Sequence, residues 1–381
     1  METPVIVEVV PLPSLRSTNL SESAPTVLAR RGNYSIVLLS NYSCLDVDTQ
    51  CAFQRGLELH RGGKPLLSIN ADAARKCLAG RPVYFVGDST MRYQYMSLAY
   101  FLEWGRWPDR CTRAHGERHP ESVVRRNDFG NWSSFFAATE RLYRGHMLCD
   151  CQHSSEGQIL PSQTQTCYRG KVEARLYAHA GVNVSFEWAV AGCAKYGTNL
   201  CSWHCWHCWA RAESRAAVLM LNAGIHSGFT VHPRHPAGCY DSFINDAAAF
   251  FTNGGVRQPG ADHGNLTMAV HGLQGVWRMT DWPAGFPHND NRGQILPEIY
   301  LSKHTLKTSS TLAAAESRAE AAVATRHGMS ILEFGLLGGL LREAIRSANI
   351  SQTAVMWDEY HFEPVMYEFL NRLFLEIICG F

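Results

Sequence analysis

The stretch that most restricts what this chain can fold into is Arg81-Pro-Val-Tyr-Phe-Val-Gly87. It is a short apolar run with no polar alternation, closed by Gly, and a helical pattern over 91–104 follows it directly. Such a run suits a strand covered on both faces. Similar runs recur at 216–222, 267–270, 328–333 and 353–357. Helical patterns lie between and after them. Residues 310–327 are rich in Ala, Glu and Arg and stop before Gly328, a C-cap candidate. Residues 364–378 carry apolar side chains at 365, 366, 369, 370, 373, 374, 377 and 378, a helical stripe. Strands separated by helices predict an α/β fold with a mainly parallel sheet.

The chain has 381 residues, enough to bury a substantial core. Residues 1 to about 30 read as a flexible leader and 31–381 as one folded domain, with 105–215 a Cys-rich, loop-rich elaboration. No linker or internal repeat divides the rest. Lys and Arg number 35 against 34 Asp and Glu, a net charge of +1. No global field draws this chain to nucleic acid or to an anionic membrane, and no basic block with interleaved aromatics supports nucleic-acid binding.

Thirteen Cys is a high count for a reducing compartment. The odd number leaves at least one outside any set of intramolecular pairs, and sequence does not give the connectivity. The N-x-[ST] pattern occurs at Asn19, Asn33, Asn41, Asn131, Asn183, Asn265 and Asn349. Chance placement would give roughly two or three such triplets. Both counts predict the secretory pathway, in the Golgi lumen or secreted, with glycans at Asn33, Asn41, Asn131, Asn183, Asn265 and Asn349. The opening METPVIVEVVPLPSLRSTNLSESAPTVLA has Pro at 4, 11 and 13, acids at 2 and 8, and no basic flank before an apolar run. It is neither a signal peptide nor an anchor, so the expectation is an incomplete or divergent start. No stretch reaches the ~18 apolar residues of a spanning helix.

Chemistry-bearing residues gather where apolar runs end. Gly87-Asp88-Ser89-Thr90-Met91-Arg92 sits where the first run meets its helix. Ligands of open α/β sheets collect at the carboxyl ends of strands, and a helix N-terminus favours developing negative charge. A nucleophilic Ser needs such an oxyanion donor beside it. Gly87 is expected to permit a tight turn. Taken alone, the triplet reads more readily as a helix cap by Asp88 or Ser89. Asp358-Glu-Tyr-His361 follows the last apolar run. Three-residue spacing on a helical turn puts both side chains on one side, so Asp358 can accept from Nδ1 while Nε2 takes the Ser89 proton.

Gly87-Asp88-Ser89 with Arg92 and Gln94, and Asp358-x-x-His361 with Phe362, Pro364, Tyr367 and Asn371, resemble the PC-esterase group of the SGNH (GDSL-type) hydrolase-like superfamily. That group includes the plant trichome birefringence-like proteins, which O-acetylate wall polysaccharides, and is related to sialic acid O-acetyltransferases. The likeness runs from about Cys51 to the C-terminus and is carried by its two ends. It implies a three-layer α/β/α sandwich of SGNH-hydrolase type, with Ser89, Asp358 and His361 catalytic. In Leu221-Asn222-Ala-Gly224-Ile-His226, Asn222 resembles the strand-end Asn that supplies an oxyanion donor, with the Ser89 N–H as companion. A strand-capping turn is the other reading of Asn222. In the plant proteins His follows Gly directly, which His226 does not. A further oxyanion glycine is not identified, Gly130 being only a guess. Arg278, in Val276-Trp-Arg-Met-Thr280, resembles an Arg-bearing strand end of the family. Substrate contact and a structural ion pair both remain open for it. Arg92, Arg278 and His226 are the candidates for substrate binding.

The resemblance implies O-acetyl transfer to a polysaccharide or glycoprotein glycan through a Ser89 acyl-enzyme. It implies an acetyl donor as co-substrate and no metal or organic cofactor. Two alternatives stand beside it: a carbohydrate or lipid O-acetylesterase, and a non-catalytic glycan-binding ectodomain with a vestigial triad. Cys201-Ser-Trp-His-Cys205-Trp-His-Cys208-Trp209 offers C-x-x-C spacing for zinc but no matched second pair. Disulfides to Cys167, Cys193 or Cys239 explain those cysteines more simply. Trp203, Trp206 and Trp209 read as packing against such disulfides, with a sugar-stacking surface as the other possibility.

Overall fold

Short strands and helices make up the computed structural model, which describes residues 25–39, 49–108, 149–150, 173–188, 217–222, 244, 273–280, 310–348, 350, 354–356 and 361–381. The first elements are β1 (Thr26–Arg31), β2 (Tyr34–Leu38), α1 (Thr49–Gly56), β3 (Leu57–Arg61), β4 (Lys64–Pro65) and α2 (Ala71–Leu78). Then come β5 (Val83–Gly87), α3 (Ser89–Trp104), β6 (Cys149–Asp150), β7 (Glu173–His179), β8 (Val182–Trp188), β9 (Val218–Leu221) and β10 (Gln274–Arg278). The last are α4 (Ser310–Arg326), β11 (Ser330–Leu332), α5 (Phe334–Ser347) and α6 (Pro364–Cys379). They divide into two units. One takes the described residues of Met1–Cys77, Tyr93–Gly145 and Glu333–Phe381; the other takes those of Leu78–Arg92 and His146–Leu332.

The second unit holds a seven-stranded sheet in the order β11-β10-β9-β5-β8-β7-β6. β5 pairs in parallel with β8 and β9, β9 with β10, and β10 with β11. β7 and β6 extend the β8 edge antiparallel. Counted along the chain, the parallel strands β5, β8, β9, β10 and β11 lie in the order 2-1-3-4-5, a doubly wound arrangement. All five residues of β5 and all four of β9 are buried, as unalternated apolar runs require. α4 runs from Ser310 and closes at Gly328, whose φ of 71° is the left-handed conformation of a C-cap.

The first unit holds the antiparallel sheet β1-β2-β3-β4. α5 lies against β1 and β2. It buries Phe334, Leu337, Leu340, Leu341, Ala344 and Ile345, one face at helical spacing. α6 starts with Pro364 at its first turn and buries Val365, Met366, Phe369, Leu370, Leu373 and Phe374, the expected stripe. A disulfide joins Cys77, in α2, to Cys379 at the end of α6.

The α/β class and the mostly parallel sheet are as the sequence predicts. Other expectations change. β1 begins at Thr26, inside the stretch read as a leader. Residues 354–356, the described part of the expected run 353–357, belong to no sheet strand. Met356 makes an isolated antiparallel bridge to Phe362, and Glu363 N–H donates to the Val355 carbonyl at 2.8 Å. These partners of Val355 and Met356 come from the segment that follows, not from a sheet ladder. Within the expected loop-rich region, β7 and β8 form a hairpin that supplies the direct neighbour of β5. The run 267–270 lies outside the described residues. Among the described residues no helix is long and apolar enough to cross a membrane.

Candidate active site

Gly87, Asn222 and Arg278 lie at adjacent strand ends. Val86 is in register with Leu221, and Leu221 with Trp277, so the next residue of each strand sits at the carboxyl edge. In a 2-1-3-4-5 order, β5 and β9 flank the switch point, where ligands of such sheets bind. Gly87 has no left-handed φ, so the turn does not require glycine for its conformation. Proximity requires it instead. A Cβ there would stand 3.0 Å from Met91 Cβ and 3.3 Å from both Cβ and the carbonyl oxygen of Asn222.

Asp88 caps α3. Its Oδ1 accepts from the N–H groups of Thr90 at 3.0 Å and Met91 at 3.4 Å, and from Thr90 Oγ1 at 2.6 Å. Capping therefore falls to Asp88, and Ser89 is the first residue of a sixteen-residue helix, 6% exposed. Its N–H is at the end of the helix where the dipole favours negative charge. Arg278, wholly buried, donates from Nη2 to Thr90 Oγ1, and the same nitrogen lies 3.7 Å from Asp88 Oδ1. Of the two readings left open for Arg278, the ion pair is the one formed.

Asn222 donates from Nδ2 to the Arg278 carbonyl at 2.8 Å and, at a longer 3.4 Å, to Thr280 Oγ1. One N–H is thus firmly held and the other only loosely. Its buried Oδ1 accepts no hydrogen bond among the described residues. An acceptor left so costs about 1–3 kcal/mol. Glu320, on α4, supports this cluster from behind. Its Oε2 accepts from Thr280 N–H at 2.9 Å and from Trp277 Nε1 at 3.2 Å. Sequence reasoning missed Glu320 and Thr90; nothing in the sequence sets Glu320 apart from Glu316 one turn earlier in the same helix.

His361 belongs to the other unit. It is half-buried, and Tyr93 meets its ring edge-on at 5.2 Å and 82°. The residues that accompany it in the resemblance are packing residues. Phe362 is buried against Phe334 at 5.6 Å with the Arg342 guanidinium 5.7 Å from its ring centre. Tyr367 lies 6.0 Å from Tyr93, and Asn371 Nδ2 donates to the Gln94 carbonyl at 3.0 Å. They seat the start of α6 on α3.

Arg92, a candidate for substrate contact, is buried. Asn33 is exposed in the β1–β2 turn and Asn183 is half-buried in β8. Asp358, His226, Asn41, Asn131, Asn265, Asn349, Gly130 and the stretch from Cys201 to Trp209 lie outside the described residues. The chain matches no protein-family model, no curated protein and no solved structure, so what the site does rests on the chemistry of its own residues.

Proposed function

We propose that this chain is an SGNH-type O-acyltransferase that moves an acetyl group to a polysaccharide or glycoprotein glycan through an acyl-Ser89 intermediate, within a three-layer α/β/α sandwich. One observation carries the reading: Ser89 opens α3 at the switch point of the parallel sheet, its turn capped by Asp88, with Asn222 packed closely against Gly87, two residues before Ser89. This is where a doubly wound sheet binds ligands, and it joins a hydroxyl to a helix N-terminus.

The reaction follows from these groups. Ser89 Oγ attacks the acetyl carbonyl as His361 takes its proton, and Asp358 holds the imidazole tautomer and stabilises the imidazolium. The Ser89 N–H and the loosely held N–H of Asn222 receive the tetrahedral oxyanion. Collapse breaks the bond to the donor, whose leaving oxygen or sulfur takes the proton from His361. A sugar hydroxyl then gives its proton to His361 and attacks the acyl-enzyme. The second collapse releases the O-acetyl glycan and returns Ser89 to its hydroxyl form. No step requires a metal or organic cofactor. The Cys77–Cys379 disulfide supports a lumenal or secreted location, since such bonds persist in oxidising compartments.

The test has two stages. A fluorophosphonate probe is expected to label wild type and not Ser89→Ala; no labelling of wild type supports the non-catalytic glycan-binding alternative. Mass spectrometry of candidate glycans with an acetyl donor then separates the enzymes. Ser89-dependent gain of acetyl is expected, whereas loss from acetylated glycans with no gain in any acceptor makes the protein an esterase. For the compartment, Asn33→Gln is expected to remove one glycosidase-sensitive mass step from the secreted protein, and an unchanged mass excludes Asn33 as a glycan site.

A further inference from the structure

Building on the acyl-enzyme reading above, we propose that Arg278 is a positioning residue that sets the spacing between the Ser89 turn and the Asn222 amide. It is bonded to both. Its guanidinium reaches the turn through Thr90 Oγ1 and Asp88 Oδ1, and its own carbonyl oxygen receives Asn222 Nδ2. The side chain is wholly buried, so it acts through these neighbours.

The geometry fixes both ends. The Thr90 hydroxyl donates its single hydrogen to Asp88, which leaves its lone pairs for Arg278. Nη2 thus serves a hydroxyl and a carboxylate at once, a task suited to a planar guanidinium and poorly matched by a lysine ammonium. At the other end, the Arg278 carbonyl fixes the plane of the Asn222 amide. Turning the amide over would set Oδ1 against a carbonyl oxygen. The Glu320 carboxylate supports this stretch from both sides of the Arg278–Met279 pair, accepting from the Trp277 indole and from the Thr280 N–H. Nucleophile turn and oxyanion donor come from different strands, yet they keep one separation before substrate arrives. Oxyanion stabilisation depends on such preorganisation, and a displacement of about 1 Å costs about 100-fold in rate.

The experiment measures fluorophosphonate labelling of the full chain and resolves the limiting rate from the half-saturating probe concentration. Arg278→Met is expected to lower the limiting rate about 100-fold with half-saturation unchanged. Arg278→Lys should recover part of that loss. In an Asn222→Ala background the Arg278→Met loss should shrink to about tenfold or less, since part of its effect runs through the amide and coupled residues are non-additive. A wild-type rate in Arg278→Met, equal losses in both backgrounds, or a change confined to half-saturation overturns the proposal. Where circular dichroism shows Arg278→Met unfolded, Thr90→Val decides: an about tenfold lower limiting rate supports the positioning role and an unchanged rate overturns it. Wild type that is never labelled at Ser89 removes the acyl-enzyme reading and this proposal together. Labelled wild type with unaffected variants removes the positioning role alone.

Discussion

Around Ser89, the side chains that fix the turn are polar and wholly buried: Asp88 and Arg278 are 0% exposed, Asn222 1% and Thr90 3%. The contacts described at and beside His361 include rings, with Tyr93 against the imidazole and Phe362 packed on Phe334. The two regions suit different tasks. A buried polar network gives each member few acceptable positions, because an unpaired group in low dielectric is costly. Aromatic packing holds a ring by shape while leaving its nitrogens to other partners. Under the proposed mechanism, Ser89 and Asn222 need fixed spacing, whereas His361 must change charge during each half-reaction.

The sharpest way to break this contrast is to separate activity from stability. Under the proposed mechanism, His361→Ala is expected to lower Ser89 labelling about 10⁴-fold, with little change in the unfolding midpoint. Asp88→Ala is expected to destabilise by about 3–5 kcal/mol in denaturant unfolding, because it strands the Arg278 charge in the interior. If His361→Ala proves the more destabilising of the two, the division of labour between the regions is wrong.

The cross-link in the His361-bearing unit gives the next effect. Cys77 and Cys379 close a loop with a sequence separation of 302. Replacing both with Ser is expected to cost about 2–5 kcal/mol, measured by denaturant unfolding without reductant. Adding reductant to wild type should produce the same loss, and a wild type indifferent to reductant contradicts the bond.

These particulars show what a sequence exposes. β5 and the start of α3 were legible because an unbroken apolar run meeting a helical stripe has few other solutions. α6 was legible from its stripe and its leading Pro364. β8 was missed although Val182, Val184 and Phe186 alternate with Asn183, Ser185 and Glu187, the period of a strand; the many Cys around it suggested loops instead. α5 was obscured by Gly335, Gly338 and Gly339, which lower helix propensity but let Arg31 approach Gly339, where a Cβ would stand 3.1 Å from Nη1. At the site, the positions of Ser89 and Asn222 at strand ends were legible because each comes just after an unbroken apolar run. The direction of the Arg278 side chain was not readable. An arginine at a strand end can face ligand or carboxylate, and only the three-dimensional partner, Asp88, decides between them.

Two acidic N-caps carry the comparison to its smallest effect. Asp88 caps α3 with its own Oδ1, while Glu333 stands at the N-cap of α5 and makes no side-chain cap hydrogen bond. The extra methylene of Glu makes it a poorer match for the backbone N–H groups that Asp reaches. Burial then raises the Glu333 pKa above the ordinary carboxylate range, and the nearby Arg31 charge only partly opposes this. A folded-state pKa above the unfolded one means that the folded protein binds the proton more tightly. The stabilising contribution is full below the unfolded pKa and is lost as pH rises through the folded value. At neutral pH Glu333 is therefore a small net cost. Glu333→Gln is expected to be slightly more stable than wild type at pH 7, and the advantage should fade as pH drops through the carboxylate range. Denaturant unfolding at intervals from pH 7 to pH 4 measures this. An advantage that grows on acidification would instead mean that the Glu333 carboxylate stabilises the fold through Arg31, making this uncapped acid as well supported as Asp88.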